Sequence, residues 1–407
     1  MIEAGSETDL PKLHLSRNFK LLTATGAISR TGVAGFQIAV IWIALLITRS
    51  SILAGLADGI AVLPLFFSFV LGAYVDRLTS KKSLAIVVSL ARVFSIFGLF
   101  VAFLVNVLLI ETISIYVVAF VIGLSTDIMN STSASWSKQF LGAQQYQSGV
   151  TLLQSLGAVA EGIGYAFSGV FLILGLNFAV YSFAIIFSVA IIPIFLMKGE
   201  RTTVVSSESS MNSSIKNGLE YVFRDKRLRG LVIIILPINL AFGTLGIFMA
   251  FLIHDQFRLS AIYFTTLALS LTSGVIFGSV IGSTAKGKLG LYSILTILPT
   301  GLLLFLVGII KSVYPDFAIT FVIGILIGVI NVVINTALIK IVDQEMMGRV
   351  SGVIKTFGFS LTFLSGTIGG VLIQVLTLQG SFFAIGAIVS LTSFTPLVFK
   401  EFYDLVI

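Results

Sequence analysis

Apolar stretches of about twenty residues follow one another along this chain from Leu21 to Val398. A helix of that length crosses a hydrocarbon layer roughly 30 Å thick. Polar loops and helix breakers divide the apolar sequence into predicted spans that start near Leu21, Ser51, Leu84, Ser114, Gly149, Leu174, Leu231, Ala261, Leu291, Phe317, Gly352 and Phe382. The pattern therefore predicts an all-α membrane protein with twelve transmembrane helices.

The longest polar stretch runs from Lys198 to Arg229 and has six predicted spans on either side. It opens with the Ser-rich run VVSSESSMNSS and continues with SIKNGLEYVFRDKRLRG, in which apolar residues recur at helical spacing among basic ones. We interpret it as a flexible linker followed by an amphipathic helix at the membrane interface. The predicted division is a tail at 1–20, a six-helix bundle at 21–197, the linker at 198–229, a second six-helix bundle at 230–400 and a tail at 401–407.

The two bundles resemble each other weakly. The tripeptide Ser-Gly-Val opens the fifth predicted span at residues 148–150 and the eleventh at residues 351–353, and a Gly-rich helix follows in both cases. This match predicts two six-helix pseudo-repeats, an arrangement that normally places the substrate site between the halves at mid-membrane.

Composition removes several alternatives. Hydrophobic residues make up 57% of the chain and charged residues 11%, with a mean hydropathy of +1.08, so a polar surface cannot enclose it. The net charge of +7 comes from residues in short loops and not from one face, so no nucleic-acid partner is expected. The absence of cysteine excludes disulfides and thiolate metal sites, and with only His14 and His254 no enzyme activity and no cofactor are expected.

The distribution of lysine and arginine predicts the orientation. Arg49, Arg258 and Lys311 fall in one set of loops, whereas the opposite loops and both tails hold most of the other basic residues. By the positive-inside rule, both termini are predicted to be cytoplasmic. The first twenty residues lack a small-residue cleavage pattern, so we expect a retained tail on a multi-pass protein of the cell inner (plasma) membrane.

Five charged residues fall deep within predicted spans, and all belong to the first half: Arg30, Asp58, Arg92, Asp127 and Glu161. A charge at the centre of a span costs about 2.5 to 3.5 kcal/mol, so each needs a partner, a water-filled cavity or a function. Glu161 is the preferred proton carrier, because the low polarity near mid-membrane favours a protonated carboxyl group. The alternative is a glutamate that is neutralised by Arg30.

The other intramembrane charges have similar alternatives. Asp58 is interpreted as an outer proton or cation site, or else as a hydrated residue near the rim. Arg92 and Asp127 lie at similar predicted depths, which allows a structural ion pair. Arg92 is also a candidate counter-charge or substrate-binding residue, and Asp127 is also a candidate for proton coupling. Further candidates for substrate binding are the amides, which can equally bond neighbouring helices: Gln37, Asn130, Asn239, Asn331 and Asn335. The 35 phenylalanines predict aromatic lining of any cavity, which suits lipophilic substrates.

The loop GAYVDRLTSKK between the second and third spans resembles the signature loop of the major facilitator superfamily. Its matching residues are Gly72, Asp76, Arg77, Lys81 and Lys82. The resemblance implies a cytoplasmic gate, in which the glycine lets helices approach closely and the aspartate complements a helix N-terminus or a cation. The corresponding loop of the second half, GSTAKGKLG, lacks the aspartate.

Two other segments, IVDQEMMGRVSGV and NGLEYVFRDKRLRG, are similar to the macrolide-efflux and enterobactin-exporter branch of drug:proton antiporters. This resemblance implies a monomer that exports lipophilic small molecules by alternating access in exchange for protons. Drug antiporters usually carry a Gly-Pro pair in the fifth span, where this chain has Gly164-Tyr165. Two alternatives stay open: a transporter of a polar or anionic metabolite or siderophore that binds Arg30, and a non-transporting receptor or scaffold.

The segment GSTAKGK at residues 282–288 has the glycine and lysine spacing of a phosphate-binding loop. Leu289 replaces the Ser or Thr that binds Mg²⁺, and no predicted strand precedes the segment. We therefore expect no nucleotide site, and transport driven by a gradient.

Overall fold

The computed structural model describes residues 15–78, 80–141, 145–198, 219–343, 346–347, 350, 353–354, 358 and 361–407. Most of the predicted N-terminal tail, the Ser-rich linker at 199–218 and the predicted start of the eleventh span at Gly352 lie outside these residues. Residues 219–224, from the predicted amphipathic segment, are helical.

The first half consists of helices that are joined by short turns. They are α1 (Arg17–Thr48), α2 (Ser51–Val62), a 3₁₀ turn (Leu63–Phe67), α3 (Ser68–Arg77), α4 (Lys81–Val105), α5 (Leu108–Phe140), α6 (Tyr146–Leu174) and α7 (Leu176–Leu196). Serine hydroxyls cap several of them: Ser16, Ser50 and Ser80 each accept a hydrogen bond from a first-turn backbone N–H. Pro64 lies in the 3₁₀ turn, where its missing N–H interrupts the α-helical ladder between α2 and α3.

The second half repeats this construction. Its elements are α8 (Lys226–Phe251), a π-helical turn (Leu252–Gln256), α9 (Ala261–Gly282), α10 (Leu289–Ile309), α11 (Val313–Ile341), α12 (Thr362–Thr392), α13 (Thr395–Val398) and α14 (Lys400–Tyr403). Within α12, Thr377 has non-helical dihedral angles of φ 66° and ψ 168°, so two helical segments meet there.

The all-α prediction is confirmed, because the described residues contain helices and no strand beyond one isolated bridge. Ten helices in this part of the chain are long and apolar enough to cross a membrane, and Ser51–Phe67 forms a shorter apolar helix. The second predicted span is divided between α2 and α3, and the eleventh and twelfth fall on either side of Thr377 in α12. The count of twelve spans stays a prediction.

The two ends of the helix bundle differ in how the halves pack. We call the end that carries Arg17 the N-terminal side and the opposite end the far side, and the two halves contact each other on the far side. Glycines make the contacts on the far side: a Cβ on Gly55 of α2 would lie 2.0 Å from the Gly366 carbonyl oxygen of α12, and one on Gly169 of α6 would lie 2.2 Å from Thr265 of α9. Such spacing permits direct backbone packing between the halves.

Residues 400–407 pack against the second half on the N-terminal side. Phe402 is 0% exposed and lies against Gly230 at the start of α8. The Leu289 N–H donates to the Leu405 carbonyl oxygen at 2.7 Å, and the Ile407 N–H donates to Gly287 at 2.9 Å. This segment is therefore part of the packed bundle.

Candidate functional site

A cavity of about 480 Å³ lies within the first half, between α1, α4, α5 and α6. It extends from Leu22 and Tyr146 on the N-terminal side to Gln37, which is roughly 22 Å further along α1 at 1.5 Å per residue. Its charged and amide-bearing lining residues are Arg30, Gln37, Arg92, Asn130, Gln154 and Glu161. The repeat argument predicted a site between the halves, whereas the described lining of this cavity comes from the first half.

Arg30 projects from α1 towards α6 and contacts Gly157. A Cβ on Gly157 would lie 2.2 Å from Arg30 Nη1, so only glycine leaves room for the guanidinium in this position. Among the described residues, Arg30 makes no salt bridge and its side chain has no hydrogen-bond partner. The site therefore presents a guanidinium whose donors are available to a ligand.

Glu161 lies one helical turn after Gly157, on the same face of α6. Its Oε1 accepts a hydrogen bond from the Tyr165 hydroxyl at 2.8 Å. The described part of the chain contains no Arg30–Glu161 ion pair within 4.0 Å, so the direct neutralisation considered from the sequence is wrong for this conformation. Two opposite charges share the cavity without direct contact.

Tyr165 connects the cavity to the second half. Its hydroxyl donates to Glu161 on α6 and lies beside Thr272 of α9. The Glu161 carboxylate and a helix of the other bundle therefore share one neighbour, the Tyr165 hydroxyl. In the sequence, Tyr165 is notable only because it stands where drug antiporters usually carry the proline of a Gly-Pro pair.

Arg92 is held by hydroxyl groups. It is 2% exposed, and its Nε donates to Ser125 Oγ at 2.5 Å, its Nη1 to Ser29 Oγ at 2.6 Å and its Nη2 to Thr126 Oγ1 at 3.0 Å. The guanidinium also lies over the Phe187 ring, 5.5 Å from the centroid. Three helices thus position this charge without a carboxylate.

The predicted Arg92–Asp127 ion pair is wrong. Each residue turns an α-helix by about 100°, so Thr126 faces Arg92 while Asp127 points away from it towards α3. There the Ser68 hydroxyl donates to Asp127 Oδ1, and Asp127 Oδ2 has no partner among the described residues. Asp127 is 5% exposed and does not line the cavity.

Asp58 occupies a third location. It is 9% exposed on α2, where that helix packs against α12 of the other half. Its Oδ2 lies 3.2 Å from the position that a Cβ on Gly366 would occupy. The three predicted proton-coupling carboxylates are therefore separated, and of these only Glu161 lines the cavity.

The predicted amide candidates divide between two roles. Gln37 and Asn130 line the cavity. Asn239 Nδ2 donates to the Gly358 carbonyl oxygen at 2.9 Å, which is a bond between segments, and the exposed Asn335 donates to Asn331 within α11 at 2.8 Å. The structure does not bring these last three residues to the cavity, because they belong to the second half.

The signature loop is described in part. A Cβ on Gly72 would lie 3.7 Å from Ser131 Oγ, so α3 passes close to α5 there. Lys81 begins α4, and Lys82 Nζ donates to the carbonyl oxygens of Phe195 and Met197 at 2.9 and 2.7 Å. Lys82 therefore binds the C-terminal end of α7, where a cation is favoured. The side chains of Asp76 and Arg77 lie outside the described residues.

Sequence reasoning missed two features. The hydroxyls that hold Arg92 gave no signal, since serine and threonine are common in membrane helices. Asp316, in the first turn of α11, is 0% exposed, and neither carboxylate oxygen has a partner in the described part of the structure. The predicted start of its span at Phe317 placed this aspartate just outside the membrane.

Comparisons with known proteins agree with this architecture. The sequence model of the Major Facilitator Superfamily matches residues 22–367. A relative from Bacillus subtilis (strain 168), the uncharacterized MFS-type transporter YkuC, is 32% identical over 154 residues, which cover 36% of this chain and 35% of that protein. The match thus spans about a third of that relative's length.

Solved structures share the fold at low sequence identity. A POT family transporter in complex with 5-aminolevulinic acid superposes with a TM-score of 0.73 at 14% identity, covering 95% of this chain and 96% of that one. The nucleoside transporter NupG gives 0.74 at 12% identity over 94% and 99%, and a D-xylose–proton symporter gives 0.68 at 12% over 93% and 96%.

The family and these relatives are transporters, which confirms the prediction that the chain is not an enzyme. The family match covers most of the described helices and includes every residue that lines the cavity. The chain therefore belongs to the major facilitator superfamily.

Proposed function

We propose that the chain is a secondary transporter that carries a small polar solute with an anionic group, and that Arg30 binds that group. The observation that carries the proposal is the Arg30 guanidinium, which faces the cavity with no ion pair among the described residues. An unpaired charge in a membrane protein is costly, so it is retained where a ligand completes its coordination. A carboxylate or phosphate group matches the guanidinium geometry.

The lining of the cavity favours this substrate class over a neutral lipophilic one. The expected aromatic lining is not found: Tyr146 is the one aromatic residue among the described side chains of the cavity wall. Amides and hydroxyls occupy much of the remainder, including Gln37, Asn130 and Gln154. These groups donate and accept hydrogen bonds that a lipophilic drug cannot satisfy. The second of the predicted substrate classes is therefore preferred.

Glu161 is the proposed proton carrier. It faces the same cavity as Arg30, so proton and solute reach their sites from the same side. Its hydrogen bond from Tyr165 is strongest when the carboxylate is ionised, and the Tyr165 hydroxyl lies beside Thr272 in the other half. Protonation of Glu161 weakens this connection, which supplies a route from proton binding to movement of one half against the other.

The proposal includes the orientation of the protein in the membrane and the direction of transport. With both termini in the cytoplasm, the cavity extends from the cytoplasmic side and the far side is sealed, as required for an exporter that loads its solute inside. An importer would release its solute from the same state, and one structural neighbour is a D-xylose–proton symporter. We retain export in exchange for protons as the direction to be tested.

Transport by purified protein in proteoliposomes tests the proposal. The panel contains carboxylate- and phosphate-bearing solutes, their neutral analogues and lipophilic dyes, with an imposed pH gradient and with or without a protonophore. We expect gradient-driven movement of anionic solutes that Arg30→Gln abolishes and Arg30→Lys partly restores. Arg258→Gln, an exposed site between α8 and α9, is the matched control and should behave as wild type.

The outcomes separate the alternatives. Gradient-driven movement of lipophilic dyes that is equal in wild type and Arg30→Gln would support drug efflux and overturn the anionic proposal. Glu161→Gln should bind the solute but no longer respond to the pH gradient. A Glu161→Gln variant with wild-type coupling would exclude this residue as the proton carrier.

A further inference from the structure

The contact between α2 and α12 closes the far side with almost no space between the backbones. A Cβ on Gly59 would lie 2.2 Å from the Phe363 carbonyl oxygen, as close as the approach of Gly55 to Gly366. At the far end of the contact, Ser51 Oγ donates to the Gly370 carbonyl oxygen at 2.9 Å. We call this contact, formed by residues 51–59 and 363–370, the far-side seam. It joins the first half to the second.

Asp58 lies in the far-side seam with its carboxylate against the other half. Its Oδ2 is close to the Gly366 backbone, and the residue is 9% exposed. In the described part of the chain, the Asp58 side chain forms no ion pair and no hydrogen bond. A buried carboxylate without a partner is an unusual component of a close helix contact.

The helices around Asp58 supply no counter-charge. Residues 361–399, which include α12, contain no titratable side chain. On α1 the nearest charges along the helix are Arg30 in the cavity and Arg49 just after its last residue. The charges of α8 lie in its first turn on the N-terminal side, and His254 in the π-helical turn after α8 is paired with Asp255. On α5, Glu111 lies in the first turn, Asp127 lies beside Ser68, and the Tyr116 hydroxyl donates to the Leu53 carbonyl oxygen of α2.

We propose that Asp58 is a proton-binding site that takes up a proton when the far-side seam closes and releases it when the seam opens. A protonated carboxyl group can be buried against glycine backbone, whereas an ionised carboxylate there loses much of its hydration and gains no partner. Separation of α2 from α12 returns the group to water, where it ionises. The closed form therefore binds one more proton than the open form.

Protonation of Asp58 makes the equilibrium between the closed and the open seam depend on pH. Because closure takes up a proton, lower pH favours the closed seam and higher pH favours opening, by up to about tenfold in the closed-to-open ratio for each pH unit. This equilibrium belongs to the protein without solute. It goes beyond the proposed function and holds whichever solute Arg30 binds.

Distance measurements between spin labels test the proposal, and the absence of cysteine means that two introduced cysteines are the only labelling sites. Leu108→Cys at the start of α5 and Val375→Cys before the Thr377 break are exposed positions on the far side, one in each half. The labelled protein is measured without solute in nanodiscs between about pH 5 and about pH 8. We expect a single short distance at low pH and a growing long-distance fraction as the pH rises.

All proteins compared carry Glu161→Gln, so that the proposed proton carrier in the cavity does not contribute to the response. Asp58→Asn should then hold the short distance at every pH, because the amide stays neutral. Glu111→Gln is the matched control on the same side and should keep the response of the protein that retains Asp58. If Asp58→Asn does not fold, Asp58→Ser makes the same test with a smaller neutral residue. A protein that retains Asp58 and does not respond to pH, or a neutral variant that still responds, would overturn the proposal.

Discussion

The Arg30 guanidinium rests on Gly157 of α6, one helical turn before Glu161. Because Nη1 lies 2.2 Å from the position of an added Cβ, the missing side chain of Gly157 determines where this cation sits. The glycine keeps the guanidinium beside the carboxylate of Glu161 without a direct ion pair. The anionic solute and the proton therefore have separate positions in the same cavity.

Gly157→Ala should impair solute recognition. The new methyl group displaces the guanidinium, and we expect the apparent affinity for an anionic solute to fall by about tenfold, which corresponds to about 1.4 kcal/mol. Concentration dependence of initial transport rates measures the effect. Gly26→Ala lines the same cavity and has nothing within 4 Å of its added Cβ, so it is the matched control. Equal affinities in the two variants would show that Gly157 does not position Arg30.

Ser29→Ala should destabilise the fold, because it leaves a buried N–H of Arg92 without a partner. We expect a loss of about 1 to 3 kcal/mol in the free energy of unfolding, measured by thermal or denaturant unfolding in detergent. Ser188→Ala is the control, since that exposed hydroxyl bonds only its own helix. Asp127→Asn should leave Arg92 in place. If Asp127→Asn lowered the free energy of unfolding more than Ser29→Ala does, Asp127 would stabilise Arg92 after all, and the conclusion that they form no ion pair would be wrong.

Tyr165→Phe should alter the pH dependence of transport and leave solute affinity close to that of wild type. Removal of the hydroxyl takes a hydrogen-bond donor from Glu161, the proposed proton carrier, so the dependence of the transport rate on pH should differ from that of wild type. Transport rates over a pH series provide the measurement. Tyr181→Phe, at a 59% exposed site on α7, should leave the curve unchanged. An unshifted curve in Tyr165→Phe would exclude its role in coupling.

Phe402, and not the nearby charges, should hold residues 400–407 in place. Phe402→Ala is expected to cost about 3 kcal/mol in the free energy of unfolding and to expose this segment to proteolysis, while Phe394→Ala, at a 46% exposed ring, should do neither.

The hydrogen bond from Lys288 holds the pKa of Asp404 below its ordinary value. The Lys288–Asp404 pair therefore stabilises the fold at pH values above the ordinary pKa of an aspartate. This stabilisation is lost as the pH falls through the lowered pKa of Asp404. Protease resistance of Asp404→Asn near neutral pH should match wild type, since exposed pairs contribute little.

The apolar runs by themselves determined the helical fold, because a backbone in lipid must satisfy its hydrogen bonds within each helix. The same runs marked Arg30, Arg92 and Glu161 as unusual, since a charge stands out in an apolar stretch. The boundaries were less accessible to sequence reasoning. The break at Thr377 lies in a continuous apolar stretch, and the predicted start at Phe317 left Asp316 outside its helix.

Which charged and polar groups contact each other depends on how the helices pack. Arg92 and Asp127 have similar predicted depths, but rotation about the α5 axis gives Arg92 to the hydroxyls and Asp127 to Ser68. The contact of Asp58 with Gly366 joins residues more than three hundred positions apart in the chain. Hydropathy reports the depth of a residue and says nothing of its direction around the helix or of the helix opposite. Those two quantities depend on how the helices pack, and they distinguish a cavity charge from one buried at a seam.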